Sequence, residues 1–389
     1  MGRDSPGLGT DRLPRPRCPS HSLSLLRPAR RALPGVPEHL PAQLDPAREF
    51  QRVPLPALRE RPDADRDRPR PHVPLLASPR PPRRAGRGRG RLLEHGGPEM
   101  TPTPMTRELD VDDVEYIRHG TKPLLARLFR PRATGPFPLM VELHGGAWCR
   151  GDRLNDTVIN EPLARSGVVV AALDFRMPPE APYPASLADI NYAVRWLKTR
   201  ATEFGSRPDL VGVLGTSSGA HQAMLGAMRP RDPRYTALPL PASAAVVDAR
   251  VRCVVMCWPV IDPLARYRYA KRLKEGGAPY PEVVDRVLPC HDQYWQTEEA
   301  MAEGNPVLAL ERGERVELPP VLYLQGTRDV AHPRPDLDRF VMHYRKAGGQ
   351  VELELYEGAT EGFITRSPTS PAAGQAIEKI IEFVHKQIR

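Results

Sequence analysis

The sequence predicts an α/β protein built on a mostly parallel sheet with helices on both faces. Short, continuously apolar segments such as PLMVEL (138–143) recur along the chain, as expected for strands that are buried on both faces. Segments with apolar residues spaced by three and four alternate with them, most clearly from Ala185 to Arg200. The links between strands are long enough for the right-handed crossovers that a parallel sheet requires.

The elements follow one another regularly after about residue 108. VEYIRH and LLARLF predict two short opening strands. Six buried strands complete a sheet of eight: PLMVEL (138–143), GVVVAALDF (167–175), DLVGVLG (209–215), VRCVVMCWPV (251–260), PPVLYLQG (319–326) and VELELYEG (351–358). Helices are predicted at Ala185–Arg200, Ser218–Met228 and Asp336–Ala347, and at the end of the chain, where Ile377, Ile380, Ile381 and Val384 share one face. Residues 263–315 interrupt this order, and we interpret them as a small helical cap over the carboxyl edge of the sheet.

The first hundred residues differ in composition from the remainder. Residues 1–99 hold 20 arginines, no lysine and 11 acidic residues, whereas the other 36 basic and 36 acidic residues cancel. The net charge of +9 therefore comes from this segment, which also holds 19 of the 47 prolines. We expect residues 1–105 to be a disordered Arg/Pro-rich leader, or an over-extended gene start, and residues 106–389 to form the folded domain. A neutral domain is not expected to bind nucleic acid.

Cysteine spacing and hydropathy indicate the cellular compartment that the sequence predicts. The five cysteines show no paired spacing, which is typical of a reducing compartment; they are Cys18, Cys149, Cys253, Cys257 and Cys290. No apolar run reaches the ~18 residues of a membrane span, and SLSLL (22–26) is too short for a signal peptide. We expect a cytoplasmic protein without membrane contact, and a homodimer is left open. CHD (290–292) cannot direct three adjacent side chains at one ion, so neither a metal nor an organic cofactor is expected.

The strongest chemical signal is GTSSG (215–219), between a predicted strand and a predicted helix. In this setting G-x-S-x-G is typical of a nucleophile elbow, whose glycines permit a sharp turn that exposes Ser217. The dipole and free N–H groups of the helix N-terminus favour negative charge developing beside the serine. Gly145 and Gly146, in HGGAW, offer further backbone N–H groups, which with that of Ser218 would form an oxyanion hole.

Four segments together resemble the α/β-hydrolase superfamily, and in particular the hormone-sensitive-lipase-like carboxylesterases. They are HGGAW (144–148), DFRMPPEAPYPASLADINYAVRWL (174–197), GTSSGAH (215–221) and LQGTRD (324–329). HGGAW and SGAH are also similar to the kynurenine-formamidase type. The resemblance implies an α/β-hydrolase fold over about residues 108–389 and hydrolysis of a carboxylic ester of a small or medium substrate through an acyl-enzyme. It also implies that Asp329 orients the catalytic base, with Asp262 as a rival that is better placed to begin the cap.

The catalytic base departs from the family pattern. The family's histidine follows the last strand in a pattern like His-Gly-Phe, whereas this chain has Glu361-Gly362-Phe363. We expect Glu361 to be the base, paired with Asp329, because two close carboxylates push one pKa upward. His332, in the segment that follows Asp329, is an alternative base. In a third interpretation the triad is broken, and the protein is a weak hydrolase or a non-catalytic ligand-binding protein.

Aromatic side chains near these motifs predict the wall of an apolar pocket. We expect Trp148, in HGGAW, and His221, just after the elbow, to line it. The cap adds further candidates, namely Tyr267, Tyr269, Tyr280, Tyr294 and Trp295. The predicted partner is thus a small-molecule ester, which the sequence does not identify, and an amide is left open.

Overall fold

The computed structural model describes Gly2 and residues 107–388. The predicted leader, apart from Gly2, therefore lies outside the described residues. Residues 107–388 contain one eight-stranded sheet. Its strands are β1 (Leu109–His119), β2 (Lys122–Pro131), β3 (Phe137–Leu143), β4 (Val169–Leu173), β5 (Ser206–Thr216), β6 (Val254–Cys257), β7 (Val321–Gly326) and β8 (Val351–Tyr356).

The strand order is β1-β2-β4-β3-β5-β6-β7-β8. β2 is antiparallel to both neighbours, and all the other pairs from β4 to β8 are parallel. The prediction of a mostly parallel eight-stranded sheet is confirmed. Because the central strands are parallel, the loops that follow β3, β5, β6, β7 and β8 open at one edge, where α/β sheets commonly bind ligands.

Ten helices accompany the sheet within residues 107–388. They are α1 (Thr157–Arg165), α2 (Ala185–Thr199), α3 (Ser218–Met228), α4 (Pro263–Glu275), α5 (Val283–Trp295), α6 (Glu298–Glu303), α7 (Pro306–Glu311), α8 (Arg334–Lys346), α9 (Phe363–Arg366) and α10 (Pro371–Gln387). The helices α4 to α7 occupy the segment that was interpreted as the cap. Sequence reasoning missed α1, whose internal Pro162 disfavours a helix, and α9, which has only four residues.

The core has one apolar layer on each face of the sheet. Alternate residues of β3 point to opposite faces, so Leu139 packs in the layer that includes α2 and α3, and Met140 in the layer that includes α1 and α10. Every residue of β4 and β6 is buried, as their continuous apolar runs predict. None of the helices within residues 107–388 is long and apolar enough to cross a membrane.

Candidate active site

The turn at Ser217 has the geometry that GTSSG predicts. Ser217 lies between β5 and α3 with φ 49° and ψ −115°, which a residue with a side chain rarely adopts. A Cβ on Gly215 would lie 2.5 Å from the carbonyl carbon of Gly219, and a Cβ on Gly219 would lie 2.0 Å from the carbonyl oxygen of Leu143. The Ser217 N–H donates to the carbonyl oxygen of Cys257 at 2.9 Å, which fixes the strained turn against β6. The glycines are therefore required by close backbone contacts.

The imidazole that faces Ser217 belongs to His332. Its Nε2 lies 3.3 Å from Ser217 Oγ, and its Nδ1 lies 2.8 Å from Asp329 Oδ2. With the Nδ1 proton donated to the carboxylate, Nε2 is free to accept the serine hydroxyl proton. The side chains of His332 and Asp329 are only 2% and 0% exposed. The three side chains thus have the connectivity of a Ser–His–Asp triad.

Asp329 is held by its own loop, directly after β7. Its Oδ1 accepts hydrogen bonds from the backbone N–H groups of Ala331 at 2.8 Å and His332 at 3.1 Å. Burial alone would raise the pKa of Asp329, but the His332 ring and these backbone donors outweigh it, and the pKa lies below its ordinary value. An ionised Asp329 can therefore orient the ring. Asp262, the rival acid, instead caps α4, where its Oδ1 accepts from the Ala265 N–H at 2.8 Å.

Glu361 has different partners. Its carboxylate accepts hydrogen bonds from Arg286 at 3.2 Å and Arg366 at 3.0 Å. Within residues 107–388, no hydrogen bond joins it to Ser217 or Asp329. This geometry corrects the expected pairing of Glu361 with Asp329, because His332 and the backbone already occupy both oxygens of that aspartate. The structure favours the alternative base, His332.

The residues expected to form the oxyanion hole surround the nucleophile. A Cβ on Gly145 would lie 3.3 Å from Ser217 Cβ, and a Cβ on Gly146, whose φ is 116°, would lie 2.0 Å from a backbone oxygen of its own loop. Both glycines line the same cavity as Ser217. Ser218 begins α3, and its Oγ accepts a hydrogen bond from the Trp148 N–H at 3.0 Å. That bond ties the HGGAW loop to the elbow.

Trp148 and His221 belong to the packed interior under the cap. The Trp148 ring stacks on Tyr294 with centroids 5.4 Å apart, and its Nε1 donates to His221 Nδ1 at 3.3 Å. His221 Nε2 in turn donates to the carbonyl oxygen of Gly304 at 2.8 Å, and burial lowers the pKa of His221 to about 4. Neither residue lines the cavity at Ser217. The expectation that they contact substrate is therefore corrected, because the cap buries both of them.

A cavity of about 320 Å³ opens onto Ser217. Its wall combines the HGGAW loop, the elbow, the cap and the loop after β8. The wall is not the apolar one that the aromatic residues predict, since six of its residues have ionisable side chains: Arg150, Asp156, Arg266, Arg286, Glu361 and Arg366. Among the described residues, no three or more His, Cys, Asp or Glu side chains are arranged to hold a metal ion.

Sequence reasoning missed these arginines. Arg266 and Arg268 stand in the same basic run, ARYRYAKRLK, but Arg266 is 3% exposed and Arg268 lies on the surface. Nothing in the local pattern distinguishes the two, because the path of the cap decides which one faces the cavity. The proline at Pro263 and the cap at Asp262 fix where α4 begins, and therefore which of its faces turns inward.

The triad geometry agrees with a family match. A model of the alpha/beta hydrolase fold family matches residues 140–365, which include the HGGAW loop, the elbow and the loops after β7 and β8. The chain belongs to the alpha/beta hydrolase fold family. Among solved structures, an esterase from Pyrobaculum calidifontis matches this chain with a TM-score of 0.59 and 21% identity. That match covers 73% of this chain and 88% of the other, and it shows the shared fold.

Two proteins of Mycobacterium tuberculosis are among the relatives of this chain. Esterase LipC is 27% identical over 257 residues, which is 65% of this chain and 60% of LipC. The probable carboxylic ester hydrolase LipM is 26% identical over 277 residues, which is 69% of this chain and 61% of LipM. The chain therefore spans about three fifths of the length of these relatives. The predicted resemblance to the carboxylesterase group of the superfamily is confirmed.

Proposed function

We propose that the protein hydrolyses a carboxylic ester through an acyl-enzyme, with Ser217 as nucleophile and His332 as general base. The observation that carries this proposal is the hydrogen-bonded chain from Ser217 Oγ, which lines the cavity, through His332 to Asp329. Relatives that are named as esterases support the class of reaction.

The geometry suits each step of acyl transfer. Ser217 Oγ attacks the ester carbonyl carbon while His332 Nε2 takes the hydroxyl proton, and Asp329 stabilises the imidazolium that forms. The carbonyl oxygen becomes an oxyanion near Gly145 and Gly146 and the N-terminus of α3. His332 then protonates the leaving alcohol, and the ester bond breaks. Water, deprotonated by the same ring, attacks the acyl-enzyme, which releases the carboxylic acid and restores the serine.

The rival function is ligand binding without catalysis, in which the cavity is retained and the serine does not react. The two functions differ in the reactivity of Ser217, since only an activated serine is acylated or phosphonylated rapidly.

A fluorophosphonate probe tests the proposal directly. We expect one covalent label per chain, on the peptide that contains Ser217, together with hydrolysis of p-nitrophenyl acetate. Ser217→Ala should lose both the label and the hydrolysis, while its thermal unfolding shows that it is folded. If the wild-type protein shows neither label nor hydrolysis from mildly acidic to mildly basic pH, ligand binding is the better description.

A further inference from the structure

The cavity at Ser217 has more positive than negative charge. Four arginines line it: Arg150, Arg266, Arg286 and Arg366. Only Asp156 and Glu361 among its lining residues are acidic. Asp156 lies beside the buried Glu142, and burial raises the pKa of both carboxyl groups, so that pair favours sharing a proton over carrying two negative charges. Glu361 is left as the main counter-ion for four guanidinium groups.

Arg266, on the cap helix α4, is the buried cation of this set. It is 3% exposed, and its Nη1 has no hydrogen-bond partner within the described part of the chain. Burial lowers the pKa of Arg266 to about 10, while Glu361 and Asp329 act in the opposite direction, so the group is still charged at neutral pH. A buried charge without a bonded partner is costly, and an anion brought into the cavity would supply that partner.

We infer that the ester substrate carries a second group, a carboxylate, which binds Arg266 and the arginines around it. This inference rests on the proposed function and names the substrate class for the same site. A guanidinium presents paired N–H donors that match the two oxygens of a carboxylate. The cavity wall already contains contacts between guanidinium groups and a carboxylate, because Nη2 of Arg286 and Nη2 of Arg366 donate to Glu361 Oε2 at 3.2 and 3.0 Å.

Two matched pairs of esters test the inference on the wild-type protein. Monomethyl glutarate and methyl valerate differ only in a carboxylate on the acyl side, and 4-acetoxybutanoate and butyl acetate differ only in a carboxylate on the alcohol side. We expect kcat/KM to be about tenfold higher for the anionic ester in at least one pair, as a hydrogen-bonded charge pair contributes. The favoured pair shows which side of the ester faces the arginines. If esters of either pair are hydrolysed, equal kcat/KM values for the anionic and the neutral ester in every hydrolysed pair would overturn the inference.

Variants of Arg266 then test whether this buried arginine causes the preference for the anionic ester. Arg266→Met should reduce the anionic-to-neutral ratio of kcat/KM about tenfold, and Arg266→Lys should retain part of it. Arg268→Met is the matched control, because Arg268 is on the same helix, is 56% exposed and pairs with Glu298, so the ratio should not change. If Arg266→Met lowers kcat/KM equally for both members of a pair, Arg266 acts on the ester itself and the inference is wrong. Arg266→Lys keeps the test usable if the methionine variant does not fold.

Calorimetric titration with glutarate measures the affinity of the proposed anion site without any catalytic turnover. We expect glutarate to bind the wild-type protein and to bind Arg266→Met at least tenfold more weakly. Binding lost in that variant supports the site even if none of the four esters is hydrolysed, in which case only the proposed function fails. Hydrolysis of neutral esters without glutarate binding and without anion preference leaves the proposed function standing and overturns the inference.

Discussion

The loops after β7 and β8 leave the same edge of the sheet from neighbouring parallel strands, yet their carboxylates have different surroundings. Asp329, after β7, has a side chain that is 0% exposed and is bonded to an imidazole and to backbone N–H groups. Glu361, after β8, is 16% exposed and is bonded to two arginines at the cavity wall. The first environment suits an acid that orients a base, as proposed for Asp329, and the second suits a counter-ion. Surroundings, more than position in a family pattern, thus assign the role of each acid.

The same comparison explains how a histidine after β7 can act as the general base for a serine after β5. Only β6 lies between β5 and β7, and neighbouring strands are about 4.8 Å apart, so the loops after β5 and β7 begin about 10 Å from each other at the same edge. The base in this family is placed by resemblance after β8, but a ring that enters from the loop after β7 reaches the same serine. His332 does so while it remains hydrogen-bonded to the aspartate three residues before it.

The largest expected effect distinguishes the two candidate bases, His332 in the loop after β7 and Glu361 in the loop after β8. His332→Ala should lower kcat for p-nitrophenyl acetate by roughly 10³-fold, since general base catalysis contributes about 10²–10⁴-fold. Glu361→Gln, which removes the charge and keeps the shape, should lower kcat less than about tenfold. Both rates are measured under saturating substrate, with circular dichroism to show that each variant is folded. The opposite order of losses would restore Glu361 as the base.

The elements that were predicted from the sequence are those whose signal is local. The apolar runs of the strands, the glycines of the elbow and the acid after β7 are each specified by a few adjacent residues. The contact between Ser217 and His332 spans 115 positions and depends on the path of a loop, so no local pattern reveals it. Burial of Arg266 is equally non-local, because only the packing of the cap distinguishes it from Arg268.

A smaller effect tests whether its surroundings also control the protonation of a third acid, Asp336, which follows β7 in the chain. Asp336, in the first turn of α8, lines a small cavity together with His332 and Arg266. Burial and the nearby Asp262 raise the pKa of Asp336 to about 7, against the opposing effects of Arg339 and Arg266. In the unfolded chain an aspartate has a pKa near ~3.9, so the native state binds more protons between about pH 4 and 7.

The free energy of unfolding should therefore decrease as the pH rises through this window. Asp336→Asn, which mimics the protonated acid, should stabilise the protein by about 2 kcal/mol at pH 8 and by almost nothing at pH 4. Urea unfolding at the two pH values measures the difference. A stabilisation that is the same at both pH values would show that Asp336 does not titrate as its surroundings predict.

The smallest expected effect tests whether the loop after β8 still places position 361 where a histidine could act as the base for Ser217. In the His332→Ala background, Asp329 loses the ring that occupies its Oδ2, and Glu361→His places an imidazole where the resemblance has one. Because Glu361 lines the same cavity as Ser217, we expect this double variant to recover about tenfold in kcat over His332→Ala alone. Glu361→Gln in the same background is the matched control and should recover nothing, since an amide is not a base. Recovery by histidine would show that a base on either loop can act on Ser217. No recovery would show that the loop after β8 has lost the catalytic geometry as well as the histidine.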